Sequence, residues 1–137
     1  MPVADYGTVS EARREFKSLL DAAADGGAGV VRRDTQRFAV VDAEALWPML
    51  VRSVGATPEL FFEDDSVGIA LPGAPLAAEG ETLEEAAQEM IAAMREYAGD
   101  WPQLRHAPNH QRHRSLVTLI DIASDEQLMD WLTGKIS

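Results

Sequence analysis

The first half of the chain shows two helical patterns on either side of a strand–turn–strand pattern. Apolar residues recur every three or four positions over residues 10–24, which predicts one amphipathic helix beginning at Ser10. The runs 30–33 and 37–41 flank a short polar connection and predict a hairpin. Asp42 is expected to cap a second helix through Val54, in which Pro48 predicts a kink or a later start.

The middle of the chain predicts a second hairpin followed by a long helix. Residues 60–62 and 67–71 flank an acidic turn, and a short edge strand is expected at 76–79. Thr82 and Glu85 have the spacing of a capping box, in which each side chain satisfies a free amide at the start of a helix. An apolar stripe then continues for four turns and ends at Gly99.

The last third of the chain is less regular. Residues 101–115 show no periodicity, which predicts an irregular connection that orders on binding. The run 116–122 is rich in β-branched residues and predicts a strand. Ser124 and Gln127 form a second capping-box pattern, so a short helix is expected to end the chain.

Composition places this pattern in a folded, cytoplasmic protein. The chain has 137 residues and 46% hydrophobic residues, enough for one ordinary domain or two very small ones. There is no long apolar run and no basic, then apolar, N-terminal segment, so neither a membrane span nor a signal peptide is expected. Cysteine is absent, which excludes disulfides, thiolate metal sites and cysteine nucleophiles.

Charge is distributed unevenly along the chain. Residues 1–55 carry seven Lys or Arg and eight Asp or Glu, a net of -1, whereas residues 56–100 carry one and eleven, a net of -10. Residues 101–137 carry four of each and are neutral. The acidic middle suits a basic partner, while the cations of the first segment could form a local positive face.

Residues 6–54 resemble the Phd/YefM-type antitoxin domain. The resemblance rests on a short first strand, on Ser10-Glu11-Ala12-Arg13 opening a helix that closes with Leu19-Leu20-Asp21, and on the hairpin strands Val30-Val31-Arg32-Arg33 and Phe38-Ala39-Val40-Val41. It covers some fifty residues in the same order and spacing.

Residues 60–97 are similar to the HicB-like antitoxin domain, a partial ribonuclease-H-like fold. The matching segments are Phe62-Glu63-Asp64-Asp65, Leu71-Pro72-Gly73 and the more specific Ala78-Glu79-Gly80-Glu81-Thr82-Leu83-Glu84-Glu85-Ala86. The resemblance implies an α+β fold of two domains. Residues 1–55 would form a β-α-β-β-α domain for DNA binding and dimerisation. Residues 58–137 would form a HicB-like ββ(β)α domain with a C-terminal strand, a short helix and a toxin-binding segment.

Together the two resemblances imply an antitoxin of a bacterial type II toxin–antitoxin system. Such a protein acts by binding and not by catalysis: it dimerises, represses its own operon on operator DNA and neutralises a toxin. A small basic ribonuclease of the RelE kind is the leading expectation for that toxin. A HicA-type partner would follow from the HicB-like half, and a Doc- or VapC-like partner from the Phd/YefM-like half.

Operator binding requires cations near phosphates and side chains that reach base edges, and arginine can do both. The resemblance places the start of the first helix at the major groove and the hairpin cations near the backbone. The alternative to DNA binding is that these cations are ordinary surface charges in contact with solvent. The candidate DNA-binding residues are Ser10, Arg13, Arg14, Lys17, Arg32, Arg33 and Arg37.

Toxin binding is expected at the C-terminal segment, which has more apolar anchors than a free tail needs. The alternative is that these side chains complete the core of the second domain. They are Trp101, Leu116, Leu119, Trp131 and Leu132.

Two groups of residues raise the question of metal chemistry. Glu63, Asp64 and Asp65 could hold Mg²⁺ in a metal-dependent nuclease, but adjacent residues on an extended chain point alternately, which favours a solvated turn. As a turn, they could mimic phosphate in the RNA-binding cleft of a toxin. His106, His110 and His113 have helical spacing, but Pro108 argues against a regular helix and hence against zinc. Neither a metal nor a cofactor is expected.

The rivals of the antitoxin hypothesis are therefore the nuclease and a pure protein-interaction module without DNA binding. Turnover of nucleic acid with Mg²⁺ that is lost on Asp64→Asn would identify the nuclease. The absence of a salt-dependent operator shift would identify the interaction module.

Overall fold

Two three-stranded sheets, each with helices of its own, organise the computed structural model, which describes residues 4–135. The expected mixed α+β class is confirmed. Contacts divide the chain into two units that meet between Met49 and Leu50, called unit 1 and unit 2 below. The assignment of separate domains to residues 1–55 and 58–137 stays a prediction.

The sheet of unit 1 contains the first predicted hairpin. Its strands are β1 (Ala4–Tyr6), β2 (Gly29–Arg33) and β3 (Gln36–Val40), in the order β1-β2-β3. Strand β1 lies parallel to β2, and β3 returns antiparallel through a tight connection at which Asp34 has a φ of 55°. An aspartate tolerates this left-handed backbone because its short side chain bonds locally. The hairpin prediction is confirmed.

The helix predicted over residues 10–24 is wrong as a single element. It is two helices, α1 (Val9–Arg14) and α2 (Phe16–Ala24), because Glu15 leaves the helical region with φ -108° and ψ 30°. The start also differs, since the hydroxyl of Thr8, not Ser10, accepts the amide of Glu11 at 3.1 Å. In α2, Leu19 and Ala23 are buried. Gly29 of β2 lies against the side chain of Leu19. A Cβ at position 29 would clash with that side chain.

Helix α3 (Ala43–Val54) begins where the sequence predicts. The carboxylate of Asp42 accepts the amides of Glu44 at 2.8 Å and Ala45 at 3.3 Å, which confirms the predicted cap. The helix continues through Pro48, so the alternative of a later start is wrong. None of its residues is buried.

In unit 2 a long helix packs on one face of an antiparallel sheet. The strands are β4 (Glu59–Phe62), β5 (Val67–Leu71) and β6 (Leu76–Gly80), in the order β4-β5-β6. Helix α4 (Leu83–Gly99) contacts β5 and β6. Alternate residues of β5 are buried, and the stripe of α4 is buried over its whole length, which confirms the predicted hairpin, edge strand and helix. Thr82 accepts the amide of Glu85 at 3.1 Å, as expected of the cap.

The C-terminal region consists of short helices, and only residues 105–110 of the predicted irregular connection form turns. Helices α5 (Trp101–Leu104), α6 (Arg114–Ile122) and α7 (Asp125–Thr133) are joined by short connections, with one turn of 3-10 helix at Gln111–His113. The capping box of α7 is confirmed, with Ser124 and Gln127 exchanging hydrogen bonds of 2.9 and 3.1 Å.

The C-terminal strand predicted over residues 116–122 is wrong, because this segment is α6. Its β-branched content favours a strand, but burial recurs at helical spacing, at Leu116, Leu119, Ile120 and Ala123. Packing on α4 outweighs the modest helix penalty of valine, threonine and isoleucine.

Candidate functional site

Helix α1 presents two arginines at the surface of unit 1. Arg13 and Arg14 occupy its last turn and are exposed. Within residues 4–135 neither makes an ion pair or a hydrogen bond through its side chain. Ser10 lies in the first turn and is also exposed, but it does not cap the helix. The two guanidinium groups are therefore free to bind an anion.

The hairpin divides its three arginines between the two faces of the sheet. Arg32 and Arg37 are directly opposite each other on β2 and β3, so they share one face. Arg32 pairs with the carboxylate of Asp5 at 2.9 Å. Arg33 lies on the other face, 5.3 Å from the ring centre of Phe38, and donates to Gln36 at 3.1 Å. The structure thus brings Arg32 and Arg37 together and separates Arg33 from them.

Lys17 already has a partner on its own helix. Its ammonium group lies 3.0 Å from the carboxylate of Asp21, one turn further along α2, and both groups are exposed. Exposed pairs of this kind contribute little to stability and open readily. Among the six predicted cations, Arg13, Arg14 and Arg37 are those with neither an ion pair nor a side-chain hydrogen bond in the described part of the chain.

Unit 1 also exposes a large apolar surface, which the sequence analysis did not identify. Helix α2 turns Leu19 inward, but Phe16 is 55% exposed and Leu20 is 46% exposed. The other large exposed apolar residues of the unit are Val9, Phe38, Val41 and Met49. Apolar surface of this extent on so small a unit is typical of a site that another molecule covers.

The acidic residues Glu63, Asp64 and Asp65 form the connection between β4 and β5. All three are exposed, and the amide of Glu63 donates to the carbonyl of Ser66 at 2.9 Å to close the turn. Within residues 4–135, no three His, Cys, Asp or Glu side chains converge as metal ligands. The arrangement is that of a solvated acidic turn.

The histidines are held by Tyr97 and not by one another. The hydroxyl of Tyr97 lies 2.8 Å from Nδ1 of His110 and 3.0 Å from Nδ1 of His113. Nε2 of His113 lies 2.7 Å from the carbonyl oxygen of Gly73, which can only accept, so Nε2 carries a proton. The Tyr97 hydroxyl therefore bridges Nδ1 of His110 and Nδ1 of His113.

This chain of hydrogen bonds fastens the turn between β5 and β6 to α4 and to the 3-10 turn. His106 is exposed and lies outside it. Burial raises the pKa of Tyr97 above its ordinary value of 10.0, and the positive charge of Arg112 partly offsets that effect. A tyrosine followed by two histidines at this spacing was the available sequence signal, but it did not show that the three side chains meet.

The residues predicted to bind a toxin lie mostly in the core of unit 2. Leu116, Leu119, Trp131 and Leu132 are each at most 4% exposed, and Trp101 is half-buried. In this conformation they do not form an outer surface, and their role in toxin binding stays a prediction. The exposed large apolar residues of unit 2 are instead Phe61 and Phe62, both on β4. Their sequence pattern predicts only that they belong to a strand.

Comparison with known proteins identifies the class to which this protein belongs. Residues 5–132 match the model of a PHD-like family described as the antitoxin of toxin–antitoxin systems of the RelE/RelB type. The chain therefore belongs to this antitoxin family, which implies a toxin as its partner and favours a regulatory, non-enzymatic protein. One family model spans both units, whereas the sequence analysis predicts two families in tandem.

A solved structure shows the same fold. The crystal structure of an antitoxin part of a candidate toxin/antitoxin system from Syntrophomonas wolfei subsp. wolfei is similar over 96% of each chain, with a TM-score of 0.65 and 19% sequence identity. No curated protein matches the sequence. Among residues 4–135, no helix combines the length and the apolar character needed to cross a membrane.

Proposed function

We propose that the chain neutralises its toxin by direct binding in the cytoplasm and represses its own operon by binding operator DNA as a homodimer. The observation that carries this proposal is the separation of charge. Arg13, Arg14 and Arg37 are exposed on unit 1 and make no ion pair with the residues described, whereas residues 56–100 have a net charge of -10. A single surface could not bind both DNA and a basic protein.

The homodimer follows from the apolar surface of unit 1. Phe16 and Leu20 of α2 are about half exposed, and α3 buries none of its residues within the chain. A second copy would cover such surfaces and would double the number of arginines that face the DNA. In this proposal unit 1 is a Phd/YefM-like domain, and unit 2, with its three strands followed by α4, is a HicB-like domain. The toxin is a small basic ribonuclease of the RelE kind.

The first part of the proposal, toxin binding, is tested by recovering the partner. The full chain, used as bait in its native host at low salt, should retain a small basic protein in near-equal amount. Expression of that protein alone should stop growth, and co-expression of the chain should restore it. Recovery of only DNA or a metal would refute the neutralising role and leave a repressor or a nuclease.

The second part of the proposal, DNA binding, is tested with a DNA fragment from upstream of the chain's own gene. The joint change Arg13→Ala and Arg14→Ala should weaken the complex by at least about tenfold, because each lost phosphate or base contact is worth on the order of 1 kcal/mol or more. The joint change Arg105→Ala and Arg114→Ala removes an equal charge from exposed positions of unit 2 and should leave binding unchanged. Affinity that does not fall with rising salt would favour the pure interaction module.

A further inference from the structure

Within residues 50–135, the sheet of unit 2 has one face that no helix covers. The side chains of Val67, Ile69 and Leu71 point towards α4, so Gly68 and Ala70 point the opposite way. The strand register places Phe61 and Ala77 beside them, because Phe61 is opposite Gly68 and Ala70 is opposite Ala77. These four residues, Phe61, Gly68, Ala70 and Ala77, are called the open sheet face below.

The open sheet face is a shallow cleft with a flat floor and one aromatic wall. The cleft has a volume of about 540 Å³ and is lined by the four residues together with Glu63 and Glu79. The floor is flat because its side chains are hydrogen or methyl. Phe61 is 51% exposed, and its Cβ lies 3.7 Å from the position that a Cβ of Gly68 would occupy, so its ring stands over the glycine. Half of an aromatic side chain is thus available to another molecule.

Carboxylates surround the open sheet face. Glu59 is paired with Ala70 on the same side of the sheet, Glu79 is paired with Gly68, and Glu63 lies at the end of β4. All three are exposed, and none makes an ion pair within residues 4–135. A second copy of this chain would bring the same carboxylates to the interface and be repelled. A cationic partner would be attracted.

We propose that the open sheet face receives a cationic amphipathic helix of the toxin. This inference rests on the proposed neutralising function and names the surface and the chemistry of that contact. Three strands spaced about 4.8 Å apart span roughly 10 Å, which matches the width of one α-helix. A floor of Gly68, Ala70 and Ala77 lets the helix approach closely, Phe61 packs against its apolar side, and lysines or arginines at its flanks pair with the three glutamates.

The contact can be tested without the toxin. The probe is a helical leucine–lysine peptide of about 14 residues, long enough to cross the strands, added to the isotope-labelled full chain at low salt. The largest amide shifts are expected at Gly68, Ala70 and Ala77. Phe61→Ala should weaken binding by about tenfold or more. The neighbouring Phe62→Ala, which removes an even more exposed ring from the other side of β4, should change it by less than about twofold.

Two further variants keep the test independent of the stability of β4. Ala77→Lys places a cation on the floor and should weaken binding by about tenfold or more. Glu79→Lys should weaken binding mainly at low salt, whereas Glu96→Lys, an equal charge change on α4, should have little effect. Equal losses for Phe61→Ala and Phe62→Ala would indicate strand addition at the free edge of β4 and overturn the proposal. Shifts spread over all the acidic surfaces would also overturn it.

The same variants separate this inference from the proposed function. If the recovered toxin binds the chain with full affinity whether or not Phe61 and Ala77 are changed, the neutralising function stands and the open sheet face is not its site. If the peptide maps to the open sheet face but no growth-arresting protein is recovered, the surface stands and the antitoxin proposal fails.

Discussion

The two units of this antitoxin differ in how far they complete their own cores. Among the described residues, unit 1 buries the apolar side chains of Ala4, Ala12, Leu19 and Ala23, of which only Leu19 is large. Unit 2 buries eighteen apolar residues in the same described range, with eight of the large side chains almost wholly enclosed between the sheet, α4, α6 and α7. The second unit has the core of an independent domain, whereas the first does not.

The unit with the smaller core exposes more large apolar side chains. In the part of the chain that the structure describes, six large apolar residues are exposed on unit 1 and two on unit 2. In unit 1 they are spread over the helices and β3, which suits a surface completed by a second copy. In unit 2 both lie on one edge strand, which suits a local contact with a partner. This difference supports the proposal that unit 1 assembles with a second copy and that unit 2 binds the partner.

The largest expected effect is on the core of unit 2. Leu119 is fully buried in α6, so Leu119→Ala should lower the free energy of unfolding by about 2–5 kcal/mol. Urea unfolding of the full chain measures this. The control is Thr118→Ala on the exposed side of the same helix, which should cost less than about 1 kcal/mol. Similar costs for the two variants would contradict the assignment of α6 to the core.

The next effect concerns Arg95, which joins three elements of unit 2. Its guanidinium donates to the carbonyl of Ala123 and to the carboxylate of Asp125, both at 2.8 Å, and to the carbonyl of Ile120. Arg95→Ala removes the partners of the last carbonyls of α6 and should cost about 1–3 kcal/mol. Arg95→Lys should recover only part of it, because lysine lacks the planar fork. Full recovery by lysine would show that charge alone matters.

Removing the Tyr97 hydroxyl should lower the free energy of unfolding about as much as Arg95→Ala, and this effect depends on pH. Tyr97→Phe leaves Nδ1 of the buried His113 without its hydrogen bond and should cost about 1–3 kcal/mol near neutral pH. Tyr6→Phe in unit 1 is the matched control.

The alkaline range adds a second measurement on Tyr97. The pKa of its phenol is higher in the folded chain than the ordinary 10.0, because burial disfavours the phenolate. Its contribution to stability is therefore complete below pH 10.0 and is lost as the pH rises through the raised value. Unfolding measured between neutral pH and pH 11 should show this loss in the wild type and a smaller one in Tyr97→Phe. If the free energy of unfolding fell equally with pH in the wild type and in Tyr97→Phe, the burial of the phenol would be contradicted.

The smallest effect is expected at the exposed ion pair of unit 1. Lys17→Ala breaks the 3.0 Å contact with Asp21, but both groups are in solvent, so the cost should be below about 0.5 kcal/mol. The same measurement in high salt should show almost no difference between variant and wild type. A cost comparable with that of Arg95→Ala would mean that α2 depends on this pair.

Local signals in the sequence predicted much of this fold. Asp42, Thr82 and Ser124 cap the helices that they were expected to begin, because a cap acts within one turn and depends only on neighbouring residues. The break at Glu15 and the helical state of residues 116–122 were missed. The helical state of residues 116–122 depends on packing, because the preference of Val117 and Ile120 for strands is too weak to oppose burial against α4.

The candidate sites were predictable to a smaller extent. The exposed arginines of α1 were identified because charge and helical spacing are both local properties. For Trp131 and Leu132 the sequence left both a toxin-binding and a core role open, since an apolar side chain has the same sequence pattern in either place. Both lie in the core, and their role in toxin binding stays a prediction. Phe61 was missed because its exposure depends on which side of the sheet α4 covers.

The central claim is that operator binding and toxin neutralisation belong to different surfaces of one chain. The most direct test is cell-free translation with the recovered toxin, titrated with the full chain carrying Arg13→Ala and Arg14→Ala. The account predicts that this variant restores translation at the same molar ratio as the wild type, although it no longer shifts operator DNA. Loss of neutralisation together with loss of DNA binding would contradict it.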